Sequence, residues 1–449
     1  MSFEITKEYI QEIQQLIDEQ NNDALLNLLG DVHYADIAEL IEELNTDESL
    51  YLIKLLDSDV TSDVLAELDE DEREKILKGL SSKEIAEEID ELDTDDAADI
   101  IGGLPEEQKE EVISQLEDVE HAKEIVELLR YDEHTAGGLM AKELVKVNEN
   151  WNVLTCVKEM RAQAEEVTRV HSIYVVDDDD VLKGRLSLKD LLTTSTRTAI
   201  KDVYIKNVDS VNVNEDETDV ARIMQKYDLE AIPVIDELGR LMGRITIDDI
   251  VDVIKEEAEK DYQLAAGLTE DVEADDTIWE LTRARLPWLI LGLIGGLGSV
   301  FIMEGYDEAL SNYKELFFFT PLIAAMAGNV GVQSSAIVVQ GLANDIIKGS
   351  LFNRLLKEVS LSLISGLVLG VLIILFGLVT NMDLRFSFTV AISMLCVIII
   401  ASLVGTFVPI ILDKRGIDPA IATGPFITTS NDIFGIFLFF YIAKLILGF

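Results

Sequence analysis

Asp432 stands alone among apolar residues in GPFITTSNDIFGIFLFFYIAKLILGF (424–449). A carboxylate in a lipid-spanning stretch costs about 2.5 kcal/mol or more, so such acids mark ion paths, proton relays or partners on another helix. Thr428, Thr429, Ser430 and Asn431 lead up to it, and Asp418 lies fourteen residues upstream. On one helix rising about 1.5 Å per residue, the two acids would be about 21 Å apart. That places Asp418 at the mouth and Asp432 well inside. A second apolar stretch, LFFFTPLIAAMAGNVGVQSSAIVVQGLA (316–343), holds Pro321, Gly328, Asn329 and Gly331, which together predict an interrupted span. Non-helical backbone at that depth lines a wet cavity or is buried in protein. Asn329, Gln333 and Ser334 would then face hydrated cargo. Hard oxygen ligands without His or Cys suit Mg²⁺, Ca²⁺ or Mn²⁺. One acid per chain cannot strip Mg²⁺, which keeps several waters, so recognition of a hydrated ion is expected. Blander readings stand beside these: a hydrogen bond from Asp432 to another helix, small-residue helix packing at GNVG, and a helix N-cap at Asp418.

The charges divide the chain into two parts. Residues 1–276 carry 74 of the 85 acids and 26 of the 36 bases, a net charge of −48; the remainder nets −1. Such acidity argues against nucleic acid or an anionic membrane surface as partner and for cations or plain solubility. The two cysteines, Cys156 and Cys396, lie in different parts, so no disulfide framework is readable. The opening MSFEITKEYI lacks a basic segment followed by an apolar core, and no cleaved leader is expected. No nucleophile–base pair or phosphate-cradling glycine loop appears, and His33, His121, His134 and His171 are scattered. An enzyme is not expected.

Residues 1–130 read as an acidic domain of short amphipathic helices. IAELIEELNTDES (37–49) returns as IAEEIDELDTDDA (85–97), with half-offset echoes at 64–74 and 112–120. A unit of about 24 residues predicts an all-α superhelix in which each unit covers its neighbour, with N-caps from the TxD and LxxD turns. Residues 131–255 turn strand-rich. SIYVVDDDDVLKGRLSLKDLL (172–192) aligns without gaps to AIPVIDELGRLMGRITIDDIV (231–251). Each copy reads strand, acidic turn, strand, Ser/Thr-x-x-Asp, helix, and the tandem resembles an α+β pair of CBS domains. That resemblance implies adenine-nucleotide binding such as ATP, with Asp190 and Asp249 on the ribose; the alternative is that each Ser/Thr caps the next helix. Residues 245–277 continue as a long acidic connecting helix and linker, with Asp252, Glu256, Glu257, Glu259 and Asp261 within three turns. Like charges so spaced repel unless counter-ions bridge them.

Residues 278–449 contain five stretches long enough to cross a bilayer, near 286–303, 317–342, 359–380, 387–412 and 421–447. Arg283 and Arg285 precede the first. Lys348, Arg354 and Lys357 lie between the second and third, and Lys414 and Arg415 between the fourth and fifth. The loop EGYDEALSNYKE (304–315) has one Lys against four acids. The positive-inside rule puts the N-terminus in the cytosol and the C-terminus outside the cell membrane.

GNVGVQSS (328–335), DPAIATGPFITTSND (418–432), the helical repeat, the CBS-like tandem and five spans together resemble the MgtE family of magnesium channels over essentially the whole chain. The resemblance implies a homodimer with its pore on the two-fold axis, a selectivity site at Asp432, and closure by Mg²⁺ bound between the cytosolic domains and a connecting "plug" helix. It carries sensor roles to Asp216, Asp228, Asp249, Glu257 and Asp261, and a pore-mouth role to Asp418. Lys260 and Thr218 depart from the family pattern, each standing where an acid is found. Two further readings stay open: a proton- or sodium-coupled divalent-cation carrier with Asp432 as relay, and a membrane-tethered adenine-nucleotide sensor. The two polar interruptions speak against the second, since an anchor needs none.

Overall fold

The computed structural model describes residues 5–164, 167, 169–269, 272, 276–343 and 350–448. Lys348, linker residues 270, 271 and 273–275, and the first four residues lie outside the described set. The chain folds as two compact units, Met1–Lys255 and Glu256–Phe449.

The first unit begins with ten short helices: α1 (Lys7–Asp18), α2 (Asn22–Leu29), α3 (Tyr34–Glu42), α4 (Thr46–Ile53), α5 (Ser58–Glu67), α6 (Glu70–Leu77), α7 (Ser82–Ile89), α8 (Thr94–Gly103), α9 (Glu106–Gln115) and α10 (Val119–Leu128). Their N-caps fall at Asn21, His33, Asn45, Asp57, Asp69, Ser81, Asp93 and Pro105, each twelve residues after the last. The 24-residue repeat is therefore two helices. Helices two apart stack, α3 on α5, α5 on α7 and α7 on α9, with α4 on α6 and α8 on α10. The caps are the residues before Thr46 and Thr94, not the threonines. Asn45 and Ser81 form capping boxes with Glu48 and Glu84, each side chain satisfying a backbone N–H of the other's residue.

Two three-stranded sheets follow. The first holds β1 (Val145–Asn148), β2 (Ile173–Val176) and β3 (Leu182–Leu186); the second holds β4 (Val211–Asn212), β5 (Ala231–Ile235) and β6 (Leu241–Thr246). In each, the first two strands are parallel and the last two antiparallel. Parallel pairing needs a crossover, supplied by α11 (Val153–Gln163) in the first copy and α13 (Glu217–Tyr227) in the second; α12 (Leu188–Thr193) follows β3. The register repeats at the sequence offset, Val175 opposite Gly184 and Val234 opposite Gly243. The core of the helical region continues into the second sheet through Val220, Ile232, Val234 and Ile250. The first sheet keeps its own core around Val147, Cys156 and Val175.

Helix α14 (Ile247–Ala266) follows β6 and runs from the first unit into the second. The second unit then holds α15 (Ile278–Glu304), the short α16 (Asp307–Asn312), α17 (Glu315–Ala343), α18 (Leu351–Val379), α19 (Leu384–Asp413) and α20 (Gly424–Leu447). Among the described residues, five segments are long and apolar enough to cross a membrane, the last counted from Pro419. Apolar faces of α15 and α18, such as Leu293, Phe301, Leu367 and Leu375, stay exposed, as lipid-facing surfaces do. Phe319, Ile323, Val390, Ile398, Phe439 and Phe440 form the core between α17, α19 and α20.

The sequence reading needs two corrections here. The second span is not interrupted, because α17 is helical through Pro321 and GNVG. Its glycines serve close packing: a Cβ on Gly331 would collide with the Asn431 amide, and one on Gly405 with the Gly331 carbonyl. Asp418 and Asp432 do not share a helix either. A 3₁₀ turn, Pro419–Ala422, precedes α20, and Gly424 takes φ +20° at the break.

Candidate cation-binding sites

Asp432 projects from the third turn of α20 and is half-buried. Its Oδ1 lies 3.5 Å from where a Cβ on Gly328 would sit, and Thr428 crowds the same point at 3.1 Å. A Cβ there would meet the carboxylate at ordinary contact distance and press by a few tenths of an ångström on the Thr428 methyl. Asn329, next along α17, is exposed. No hydrogen bond from Asp432 to another helix is seen among the described residues. Asn431 behaves differently: it is 1% exposed, and neither of its amide atoms has a partner among the described residues.

Asp418 is exposed, and its Oδ1 accepts a hydrogen bond from the Ala420 N–H at 2.7 Å, so it does cap the 3₁₀ turn. A capping carboxylate keeps a second oxygen for other work. Asp261, on the last turns of α14, has its carboxyl pushed up to about 6, by burial first and then by the charges of Asp418 and Glu257, against Lys260. The structure thus brings three of the sequence-predicted acids into one electrostatic neighbourhood. Lys260 Nζ stands 4.0 Å from Glu257, so the departure at that position contributes an internal counter-charge. The end of α14 rests on the start of α20. Gly267, at φ +87°, abuts the Pro425 ring, and Gly424 abuts the Ala265 carbonyl.

In the first unit the acids gather at the start of α8. Asp93, Asp95 and Glu143 each present an oxygen within 4.8 Å of the others. Thr94 is fully buried; its N–H and Oγ1 both donate to the Glu143 carboxylate, at 3.2 and 2.9 Å. Glu143 therefore caps α8 from 49 residues away, and the helix's N-terminal partial positive charge favours the surrounding acids. The guanidinium of Arg244 is 3.6 Å from Asp93 and also donates to the Glu143 carbonyl. Asp249 completes the group, its Oδ2 taking the Thr246 N–H at 3.0 Å and hydroxyl at 2.7 Å. Burial, then the charge of Asp249, drives the Asp95 carboxyl well up. Burial and Asp249 push Asp96 to about 7, and burial pushes Asp249 to about 6 despite its bonds to Thr246. Carboxylates so crowded hold protons or a polyvalent cation.

Asp93, Asp95, Asp96 and Glu143 are absent from the sequence-predicted set. A signal for one of them existed: where the first repeat copy reads NTDES, the second reads DTDDA, with Asp93 in the place of Asn45. Glu143 has no such signal. The remaining predicted acids are not brought together. Asp216 caps the start of α13, bonded to the Thr218 N–H and hydroxyl, while Asp228 ends it at φ +50°. Twelve residues of helix separate them by about 18 Å, so one ion cannot bridge them within a chain. Thr218, where an acid was expected, serves as a hydrogen-bond donor to Asp216. Asp190 follows Ser187, which caps α12 through the Lys189 N–H at 3.2 Å. Thr246, at the end of β6, instead donates its N–H and hydroxyl to Asp249, so the two Ser/Thr-x-x-Asp copies are used differently.

Family models match along the chain: the MgtE intracellular N domain at residues 32–134, CBS domains at 136–196 and 200–256, and the MgtE divalent cation transporter at 320–442. A magnesium transporter MgtE of Enterococcus faecalis is 38% identical over 327 residues, covering 73% of this chain and 72% of that protein. One of Thermus thermophilus is 33% identical over 332 residues, covering 72% of each. Among solved structures, the cytosolic domain of the Mg²⁺ channel MgtE in complex with ATP is 34% identical with a TM-score of 0.51, covering 54% of this chain and 99% of that one. The soluble part of a magnesium transporter is 31% identical with a TM-score of 0.50, covering 56% and 99%.

Proposed function

Because this chain belongs to the MgtE family of divalent cation transporters, we propose that it passes Mg²⁺ through the membrane and closes when Mg²⁺ fills its acidic sites. The observation that carries the reading is Asp432, a lone carboxylate on α20 held against Gly328 of α17. Each chain offers the ion one acid there. A hydrated Mg²⁺, its waters held by carboxylate, amide and carbonyl oxygens, fits such a site better than a bare ion. Asn329 and, at the mouth, Asp418 supply further oxygens. Two chains about a two-fold axis would set two Asp432 carboxylates around one path. The N-terminal domains lie in the cytosol of the cell membrane, and the C-terminus outside.

Closure follows from the acids of the first unit and of α14. Without divalent ions the carboxylates around Asp95, Asp96 and Asp249, and those around Glu257, Asp261 and Asp418, repel one another. Bound Mg²⁺ reverses that. A half-saturated site contributes about RT ln 2, or about 0.4 kcal/mol. Moving a gate from 1:99 to 99:1 needs about 5.5 kcal/mol. Several sites per chain, doubled in a dimer and filled beyond half-saturation, reach that range; Asp216 and Asp228 add to the count across chains. The CBS-like pair binds ATP on the Asp190 side, a reading supported by the relative crystallised with ATP.

The test is Mg²⁺ uptake by proteoliposomes carrying the wild type or Asp432→Ala, at low and high Mg²⁺ on the cytosolic-domain side. Loss of one charge-assisted contact, about 1.5–3 kcal/mol, lowers flux by about tenfold to a hundredfold. Undiminished flux in the variant would remove Asp432 from the path. Flux that requires a proton gradient would favour the coupled carrier.

A further inference from the structure

Glu358 lies on α18, half-buried. Its Oε1 accepts a hydrogen bond from Ser334 Oγ of α17 at 2.6 Å, and Ser334 is 5% exposed. The next residue, Ser335, is fully buried and donates to the Ala422 carbonyl at 2.9 Å. Ala422 closes the turn that Asp418 caps, just before α20 begins. Adjacent helix positions point about 100° apart, so the paired hydroxyls fasten α17 in two directions, one to α18 and one to the mouth. Helix α18 itself packs along α19, and the long Glu358 side chain carries the link across to α17.

Gly328 and Asn329 lie about one and a half turns further back on the same helix. Rotating α17 enough to part Ser334 from Glu358 would swing Gly328 away from Asp432 and pull Ser335 off Ala422. We propose that Glu358 is a positioning residue for ion passage: its carboxylate, acting through Ser334, fixes the rotational setting of α17 against Asp432 and the mouth. The proposal rests on the reading of α17 and α20 as the ion path.

The experiment measures Mg²⁺ and Ca²⁺ flux through the full chain in proteoliposomes, for wild type, E358Q, E358A, S334A and E358A/S334A. Gln keeps an accepting oxygen in place without the charge, so E358Q should stay within about twofold of wild type. E358A and S334A should each lower Mg²⁺ flux about fivefold or more and shift the Mg²⁺-to-Ca²⁺ flux ratio. Mere loss of folded protein would leave that ratio unchanged. The double variant should lose no more than the worse single, because both remove one bond. Multiplying losses, an unchanged ion ratio, or E358Q as impaired as E358A would overturn the proposal. If E358A does not yield folded protein, S334A decides alone, and wild-type behaviour in it is equally fatal. Absence of Mg²⁺ flux in the wild type would sink the transport reading instead.

Discussion

At the start of α8 five carboxylates share one neighbourhood, whereas Asp432 is the single acid of α20. The crowded site is metastable by construction: its charges repel, burial raises their proton affinity, and a single guanidinium lies within ion-pair range of Asp93. The solitary one shares α20 with no other acid. A group of acids that must change state with ion concentration gains from internal conflict. An acid that must release its ion in transit gains from holding it weakly. On the proposed function, the same residue type would serve sensing when clustered and passage when isolated.

The contrast is broken most directly by neutralising the cluster. Asp95→Asn with Asp249→Asn removes both the repulsion and the ligands, so the ratio of flux at low to high cytosolic Mg²⁺ should collapse toward one. If each site works at about ten times its dissociation constant, it contributes about 1.4 kcal/mol, or about tenfold in that ratio. Patch-clamp or proteoliposome flux against cytosolic Mg²⁺ would check this, and an unchanged Mg²⁺ dependence would uncouple the cluster from the gate.

A smaller effect sharpens the same contrast through pH. Asp96 and Asp249 titrate near 7 and near 6, above the usual carboxylate range. Raised carboxyls bind protons more tightly in the folded than in the unfolded chain, so their stabilising contribution is present at low pH and lost as pH rises through 6 to 7. In chelator, the full chain in detergent should melt at lower temperature at pH 8 than at pH 5.5. Added Mg²⁺ should restore stability at pH 8 and do little at pH 5.5. A melting temperature that rises with pH over this window would contradict the assignment.

The smallest effect is a control on the scaffold. Ser81→Ala removes the capping box of α7 and should cost about 1 kcal/mol, visible as a lower melting temperature with Mg²⁺-dependent flux unchanged. Altered gating would mean that the superhelix transmits strain rather than merely displaying acids.

The sequence carried the architecture where periodicity is unambiguous: the helical repeat, the tandem of strand–turn–strand–helix units and five long apolar runs. It was less informative where backbone geometry depends on distant packing. Pro321 and the GNVG glycines suggest a broken helix in isolation, yet close contacts with Asn431 and Gly405 keep α17 helical. Asp418 and Asp432 look co-helical until Gly424 takes a positive φ. At the α8 cluster, the family resemblance picks out Asp249 but not Glu143, whose role depends on the buried Thr94 meeting a residue from another segment. A long-range carboxylate cap leaves no periodic trace.

The twelve-residue spacing of the caps has a consequence for how this region can change length. From α3 to α9 each odd-numbered helix touches the next odd-numbered one, so a pair of helices is the repeating quantum there, and an insertion or deletion of twenty-four residues would lengthen or shorten that stack without reordering its interior. An increment of twelve would keep each cap at a helix start but exchange the two rows of the stack, and one that is not a multiple of twelve would carry a capping residue into a helix or a core leucine out to water.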